Sequence, residues 1–218
     1  AGERDYGPLN KDWNGVSVFV ESIQKSSIPV RVDNDFFLDQ LTPATVLFLL
    51  YPTVDLPTED LRRFLGSGGT VVLADDFGAS NAFLAEIGVS KTLLEKRKKR
   101  ARTRLYKRKP GMFVALPTLA DHPLAENVSR IVTNHPVALR SDFTPVFAFD
   151  DIGHALVLSL TVGPGRLILI GDPSIFINLM LNFPANRQFV ENLMTLTLGQ
   201  QTSAVWILTR KFRVHGTY

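Results

Sequence analysis

The chain has 218 residues, of which 45% are apolar, and a formal net charge of +3. A core of this size buries roughly 70% of the unfolded chain's surface and needs no staple. The absence of cysteine excludes disulfides, thiolate nucleophiles and cysteine-held metals, and no apolar run approaches the ~20 residues that cross a bilayer as a helix.

In chain order, "DWNGVSVFVESIQK" predicts a helix, with Asn14 as its N-cap and Val16, Phe19, Val20 and Ile23 on one face. "IPVRV" reads as a short strand. "TVLFLLYP" (45–52) is a continuous apolar run closed by proline, the pattern of a strand buried on both faces. "LPTEDLRRFLGSGG" predicts a helix capped by Thr58, with Glu59 and Asp60 in its positive first turn and glycines to stop it. "TVVLADD" (70–76) is the next buried strand, and "GASNAFLAEIG" the next helix, stopped at Gly88 and capped by Asp76 or Ser80. Strands alternating with helices over short connections argue for a parallel sheet between helices.

Residues 90–145 are less regular and read as a strand-rich excursion from that sheet. "ALVLSLTVGPGRLILIGD" predicts a hairpin around Gly-Pro-Gly. Asp172 then caps a helix with Pro173 at its first position, and a further helix runs from about Ala185 to Leu198, carrying Phe189, Leu193 and Leu196. "AVWIL" is expected as an edge strand. The whole, 1–218, is read as a single α/β domain.

The charge is uneven. Residues 96–109 hold ten bases (Lys96, Arg97, Lys98, Lys99, Arg100, Arg102, Arg104, Lys107, Arg108 and Lys109) and no acid, while outside them 14 bases face 21 acids. Basic residues alternate in part with Ala101, Thr103 and Leu105, as on a strand with a solvated or partner-facing basic face, and that reading comes first. An anionic membrane surface comes second and nucleic acid third, since only Tyr106 offers a base a stacking partner.

Ligands of open parallel sheets bind outside the carboxyl ends of the strands. Here those ends present Tyr51, then Asp75, Asp76, Phe77 and Gly78, then Asp172 and Ser174. Three carboxylates would suit a hard cation and helix starts an anion, although capping alone explains an Asp before Pro. "DDFG" lacks the glycine-rich and His-Arg-Asp loops of a kinase. There is no G-x-S-x-G or G-x-G-x-x-G, and His122, His135, His154 and His215 show no metal-ligand spacing, although His122 lies where a loop reaches toward the rim. No catalytic residue, metal or cofactor is assigned.

The stretches "DYGPLNKDWNG", "GSGGTVVLADDFGASN", "DHPLAENV" and "GPGRLILIGDPSIFINLMLNFPANRQFVENL", in that order, resemble a prokaryotic family of extracytoplasmic domains of unknown function. That family is related in fold to class I glutamine amidotransferases and to the amidotransferase-like domains of gliding-motility and intraflagellar-transport proteins. The resemblance implies a flavodoxin-like three-layer sandwich, tethered to a membrane by segments outside this chain; the start at Ala1 without methionine leaves room for such an anchor. It also marks Asn14, Asp75, Asp76, Asn81, Asp172, Asn178 and Asn186 as a candidate site. An active amidotransferase carries a cysteine where this chain has "DDFG", so the expectation is a non-catalytic domain that binds a small ligand or a protein partner. A hydrolase with a metal on Asp75, Asp76 and Asp172 is the alternative, and nucleic-acid or anionic-membrane binding through 96–109 the second alternative.

Overall fold

Alternation along the buried strands sets the architecture. Val46, Phe48, Leu50, Val72, Ala74, Ile168, Ile170, Val205 and Ile207 point into one apolar layer, and Leu47, Leu49, Val71, Leu73, Leu167, Leu169, Trp206 and Leu208 into another. A computed structural model describes residues 4–94, 104–150 and 153–218. Its elements in order are α1 (Ser17–Gln24), β1 (Val30–Arg31), β2 (Asp35–Phe37), β3 (Thr45–Leu50), α2 (Thr58–Gly66), β4 (Thr70–Ala74), α3 (Asn81–Ile87) and β5 (Ser90–Leu93). There follow β6 (Arg104–Leu105), β7 (Phe113–Pro117), β8 (Ile131–Val132), β9 (Val137–Arg140), β10 (Phe147–Ala148), β11 (Ala155–Val162), β12 (Gly165–Ile170), α4 (Pro184–Thr197), β13 (Ala204–Thr209) and β14 (Arg213–His215).

The main sheet runs β1-β13-β3-β4-β12-β11-β10-β7-β6. Its principal strands, from β1 to β12, are parallel, and pairing turns antiparallel at the β11–β12 hairpin. Helices α1 and α4 supply Phe19, Val20, Ile23, Phe189, Val190 and Leu193 to one layer; α2 and α3 supply Leu61, Phe64, Leu65, Phe83 and Leu84 to the other. The fold is mixed α/β, a large sheet flanked by helices on both faces. Residues 90–140 contribute β5 to β9.

Three local expectations are corrected. Helix α1 starts at Ser17, and Asn178 Oδ1, 160 residues away, accepts the Val18 amide at 3.0 Å in place of the predicted Asn14 cap. Thr58 does not cap α2, whose first free carbonyl contact is Leu61 N to Pro57 O, and its hydroxyl turns back to Leu56 O. "AVWIL" is an inner strand: β13 pairs in parallel with β3 over six residues and with β1 on its other side, because "IPVRV" takes the edge position. A small parallel pair, β2 with β14, was not foreseen.

Gly-Pro-Gly at the β11–β12 turn has a packing reason. Gly163 takes φ +58, and a Cβ on Gly165 would lie 2.1 Å from Leu65 O and 2.8 Å from Gly69 O. Backbone atoms cannot move aside as a side chain does, so Gly165→Ala is expected to cost about 1–3 kcal/mol, read as a lower urea midpoint at unchanged slope. An unchanged midpoint would show that the Leu65 and Gly69 carbonyls yield.

Candidate functional site

Three parallel strands stop level with one another: Leu50 pairs with Ala74, and Ala74 with Ile170. The residues that follow each therefore emerge side by side at the carboxyl edge. Tyr51 N still bonds Ala74 O at 2.8 Å and Asp75 N bonds Ile170 O at 3.0 Å, so the first loop residue of each strand is held in place. Above them lies a cavity of about 380 Å³ lined by Asp5, Tyr6, Trp13, Asn14, Tyr51, Asp76, Phe77, Asn134, His135, Ser174 and Ile177.

Gly-Asp-Pro-Ser forms the floor. Gly171 allows a close approach, since a Cβ there would meet Val137 O at 2.3 Å. Asp172 is fully buried; Oδ1 accepts from Ser174 N at 2.9 Å and Oδ2 from Asn134 N at 2.8 Å. The cap is as expected, but the element it starts is a 3-10 turn, Pro173–Phe176, rather than an α-helix. Burial pushes the Asp172 carboxyl up to about 7, against the Ser174 and Asn134 donors and helped by the charge of Asp76. Ser174 is 4% exposed; its hydroxyl stands near enough to the Asp172 carboxyl to oppose that rise, yet among the described residues it is the only buried side-chain polar atom that completes no hydrogen bond of good geometry.

The walls come from the other two loops and the amino terminus. Burial also raises the Asp76 carboxyl, to about 6; the Phe77 amide, bonded to its Oδ1 at 2.6 Å, pulls the other way, and the charge of Asp75 adds to the rise. The Tyr6 and Tyr51 phenols lie above their ordinary range, burial first and the neighbouring aspartates second, and their rings sit 5.3 Å apart. Tyr6 (φ +60), Tyr51 (φ +49) and His135 (φ +54) all hold left-handed backbone, a conformation that costs a non-glycine residue about 1–3 kcal/mol. Trp13 and Phe77 are 61% and 58% exposed at the mouth. Asn14 Nδ2 donates to Asp5 Oδ1 at 2.6 Å, fixing that carboxylate in the wall.

Of the residues read from the sequence, Asn14, Tyr51, Asp76, Phe77 and Ser174 line the cavity, with Asp172 directly beneath. Asp75 does not: its oxygens accept from Gly78 N, Ser80 N, the Ser80 hydroxyl and Lys91 Nζ, the last at 2.6 Å. Gly78 is there because a Cβ would meet Asp75 Oδ1 and Pro52 O at 2.3 Å. Ser80 thus serves Asp75 rather than capping α3, and Asn81 is an exposed first-turn residue of that helix. Asn178 caps α1 and ties the Asn10 and Asp12 carbonyls; Asn186 bonds both backbone groups of Val132. His122 caps its own 3-10 turn, accepting from Leu124 N, and lies outside the cavity wall. Among the described residues, no group of three or more His, Cys, Asp or Glu side chains is placed to share a metal ion.

Asp5, Tyr6, Trp13, Asn134, His135 and Ile177 were missed as lining residues. For the first three the signal was present in "DYGPLNKDWNG"; Asn134 and His135 reach the cavity through long-range bonds, Asn134 N to Asp172 and His135 N to Gly111 O. Residues 8–194 of the chain match a family model described as a domain of unknown function, DUF4350. The chain belongs to the DUF4350 family. No curated protein sequence matches it. Among solved structures, the DUF4350 chain is similar to the N-terminal domain of mmIFT52, with a TM-score of 0.54 at 16% identity over 71% of this chain and 78% of that one. It also aligns with the exo-β-1,4-mannosidase Op5Man5 from Opitutaceae bacterium strain TAV5, at a TM-score of 0.45 and 13% identity over 74% of this chain and 27% of that one.

The basic run is a separate feature. Lys96, Arg97, Lys98, Lys99, Arg100 and Arg102 lie outside the described residues. Arg104 and Lys107 line a groove with Leu105, Tyr106, Val114, Leu116 and Arg130, where Lys107 and Arg130 each lie 5.4 Å from the Tyr106 ring; Arg108 and Lys109 are exposed. No helix among the described residues is long and apolar enough to cross a membrane.

Proposed function

We propose that the chain is a non-catalytic ligand-binding domain of amidotransferase-like, flavodoxin-like type, which uses the strand-end cavity as its site. The observation that carries this reading is the Ser174 hydroxyl, buried at the cavity wall without a partner. A buried polar group left unpaired costs about 1–3 kcal/mol, a cost that a bound ligand with a matching group removes. The strained tyrosines and the desolvated Asp76 on the same wall support it, since proteins concentrate such costs where they bind. A cysteine-free chain has no amidotransferase nucleophile. Tethering at the outer face of a membrane, by segments outside this chain, completes the proposal and rests on the family resemblance. The basic segment is its second surface, offered to a protein partner.

The test is a thermal-shift panel of metals, nucleotides, sugars, amines and anionic lipids on wild type and Ser174→Ala. A ligand at 100 times its Kd adds about 2.7 kcal/mol, roughly 5–10 °C at this chain length. The expected pattern is a Ser174→Ala protein at least as stable as wild type without ligand, and a smaller shift with it. Equal shifts in both proteins, or turnover of an ester or phosphoester, would overturn the reading.

A further inference from the structure

We infer that the cavity takes an organic ammonium ion, held by the Asp5 and Asp76 carboxylates against the exposed rings of Trp13 and Phe77. The inference rests on reading the cavity as a ligand site, and adds the class of ligand.

Charge carries the first part of the argument. Asp5 and Asp76 stand in the wall and Asp172 lies beneath, close enough to act electrostatically on Asp76 and on Tyr6. None of the eleven lining residues is Lys or Arg. Among the described residues, Lys91 next to the rim forms its ion pair with Asp75, and Arg210 acts on the Tyr51 side. A phosphate or carboxylate entering this hollow meets repulsion from three carboxyls, whereas a cation is drawn in.

The walls carry the second part. Five of the eleven lining residues are aromatic: Tyr6, Trp13, Tyr51, Phe77 and His135. Ring faces attract cations through their quadrupole, Trp most strongly, and they do so best where water is displaced. Trp13 and Phe77 remain exposed although each is large and apolar, which a guest seated between them and the carboxylates would correct. The Ser174 hydroxyl is free to accept an N–H from an amine or to bond the hydroxyl of an amino alcohol. At about 380 Å³ the space is at the small end of ligand pockets, suited to a compact head group. The raised Asp76 and Asp172 carboxyls agree, since an opposed positive charge would return both to the ionised form.

Tryptophan fluorescence of the intact chain provides the test. Trp13 is one of two tryptophans, and Trp206 is buried in the opposite layer. The probes are choline, its neutral isostere 3,3-dimethylbutan-1-ol, and glucose, each titrated at pH 8 with Trp13→Phe as the signal control. Choline is expected to saturate with an affinity at least tenfold above that of the isostere, and Asp76→Asn to remove most of that advantage. Should Asp76→Asn fail to fold, Phe77→Ala, a surface change, is expected to weaken choline at least threefold. Equal affinity for choline and the isostere, or saturation by glucose alone, overturns the ammonium class while leaving the ligand site standing. No saturable response to choline overturns the ammonium class as well, and the thermal-shift comparison of wild type with Ser174→Ala then decides the site itself.

Discussion

Replacing Asn186 by leucine is expected to destabilise the fold by about 3–5 kcal/mol, lowering the melting midpoint by roughly 10 °C. Asn186 is fully buried on α4, and its amide behaves as one more residue of strand: Oδ1 accepts from Val132 N and Nδ2 donates to Val132 O, both at 2.9 Å. Leucine matches the volume but leaves an amide and a carbonyl of β8 buried without partners. Asn186→Asp separates the two bonds, because a carboxylate keeps the Val132 N–H and loses the donor to the carbonyl. Chemical denaturation and hydrogen exchange at the Val132 amide check the account. A leucine variant as stable as wild type, with Val132 still protected, would mean that water or a shifted strand satisfies β8.

The second large effect is on pH. Asp172 and Asp76 bind their protons more tightly in the folded chain, at about 7 and about 6, than at the ordinary value of 3.8. The stabilisation from protonation is complete below about 4 and is lost as pH rises through the folded values, so the fold weakens from about pH 4 toward pH 8. At about 1.4 kcal/mol per unit, Asp172 alone accounts for about 4 kcal/mol. Asp35, held below its ordinary range by hydrogen bonds from His215 and Arg213, gives the opposite slope, but only at lower pH. Urea unfolding at pH 5, 6, 7 and 8 should show falling stability in wild type and a flatter profile in Asp172→Asn. A wild-type profile that is level or rising over this range would contradict the burial assigned to Asp172.

The parallel sheet was legible because its strands are short continuous apolar runs, and the helices because their apolar residues recur every three or four positions. What escaped depends on contacts between distant segments. Nothing local distinguishes Asn14, which holds Asp5, from Asn178, which caps a helix 160 residues earlier. Asn186 was marked as a site amide but serves the backbone, as does Asn192, which binds the Leu124 and Glu126 carbonyls. Of the two adjacent aspartates in "ADDFG", the one that faces the cavity is settled by Lys91, which takes Asp75. "AVWIL" has the same composition whether it lies at an edge or inside the sheet, and only its two partners decide.

The position of β13 also bears on where the folded unit ends. The family match stops at residue 194, ten residues before this strand begins. Yet β13 lies between β1 and β3 and closes the parallel half of the sheet. A chain cut at the family boundary, or still emerging from synthesis at that point, carries β3 as an open edge that is apolar from Val46 to Leu50, the kind of surface that recruits strands from other molecules. The folded unit of this chain therefore extends past the matched stretch, through β13 and on to Phe212 and the β14–β2 pair.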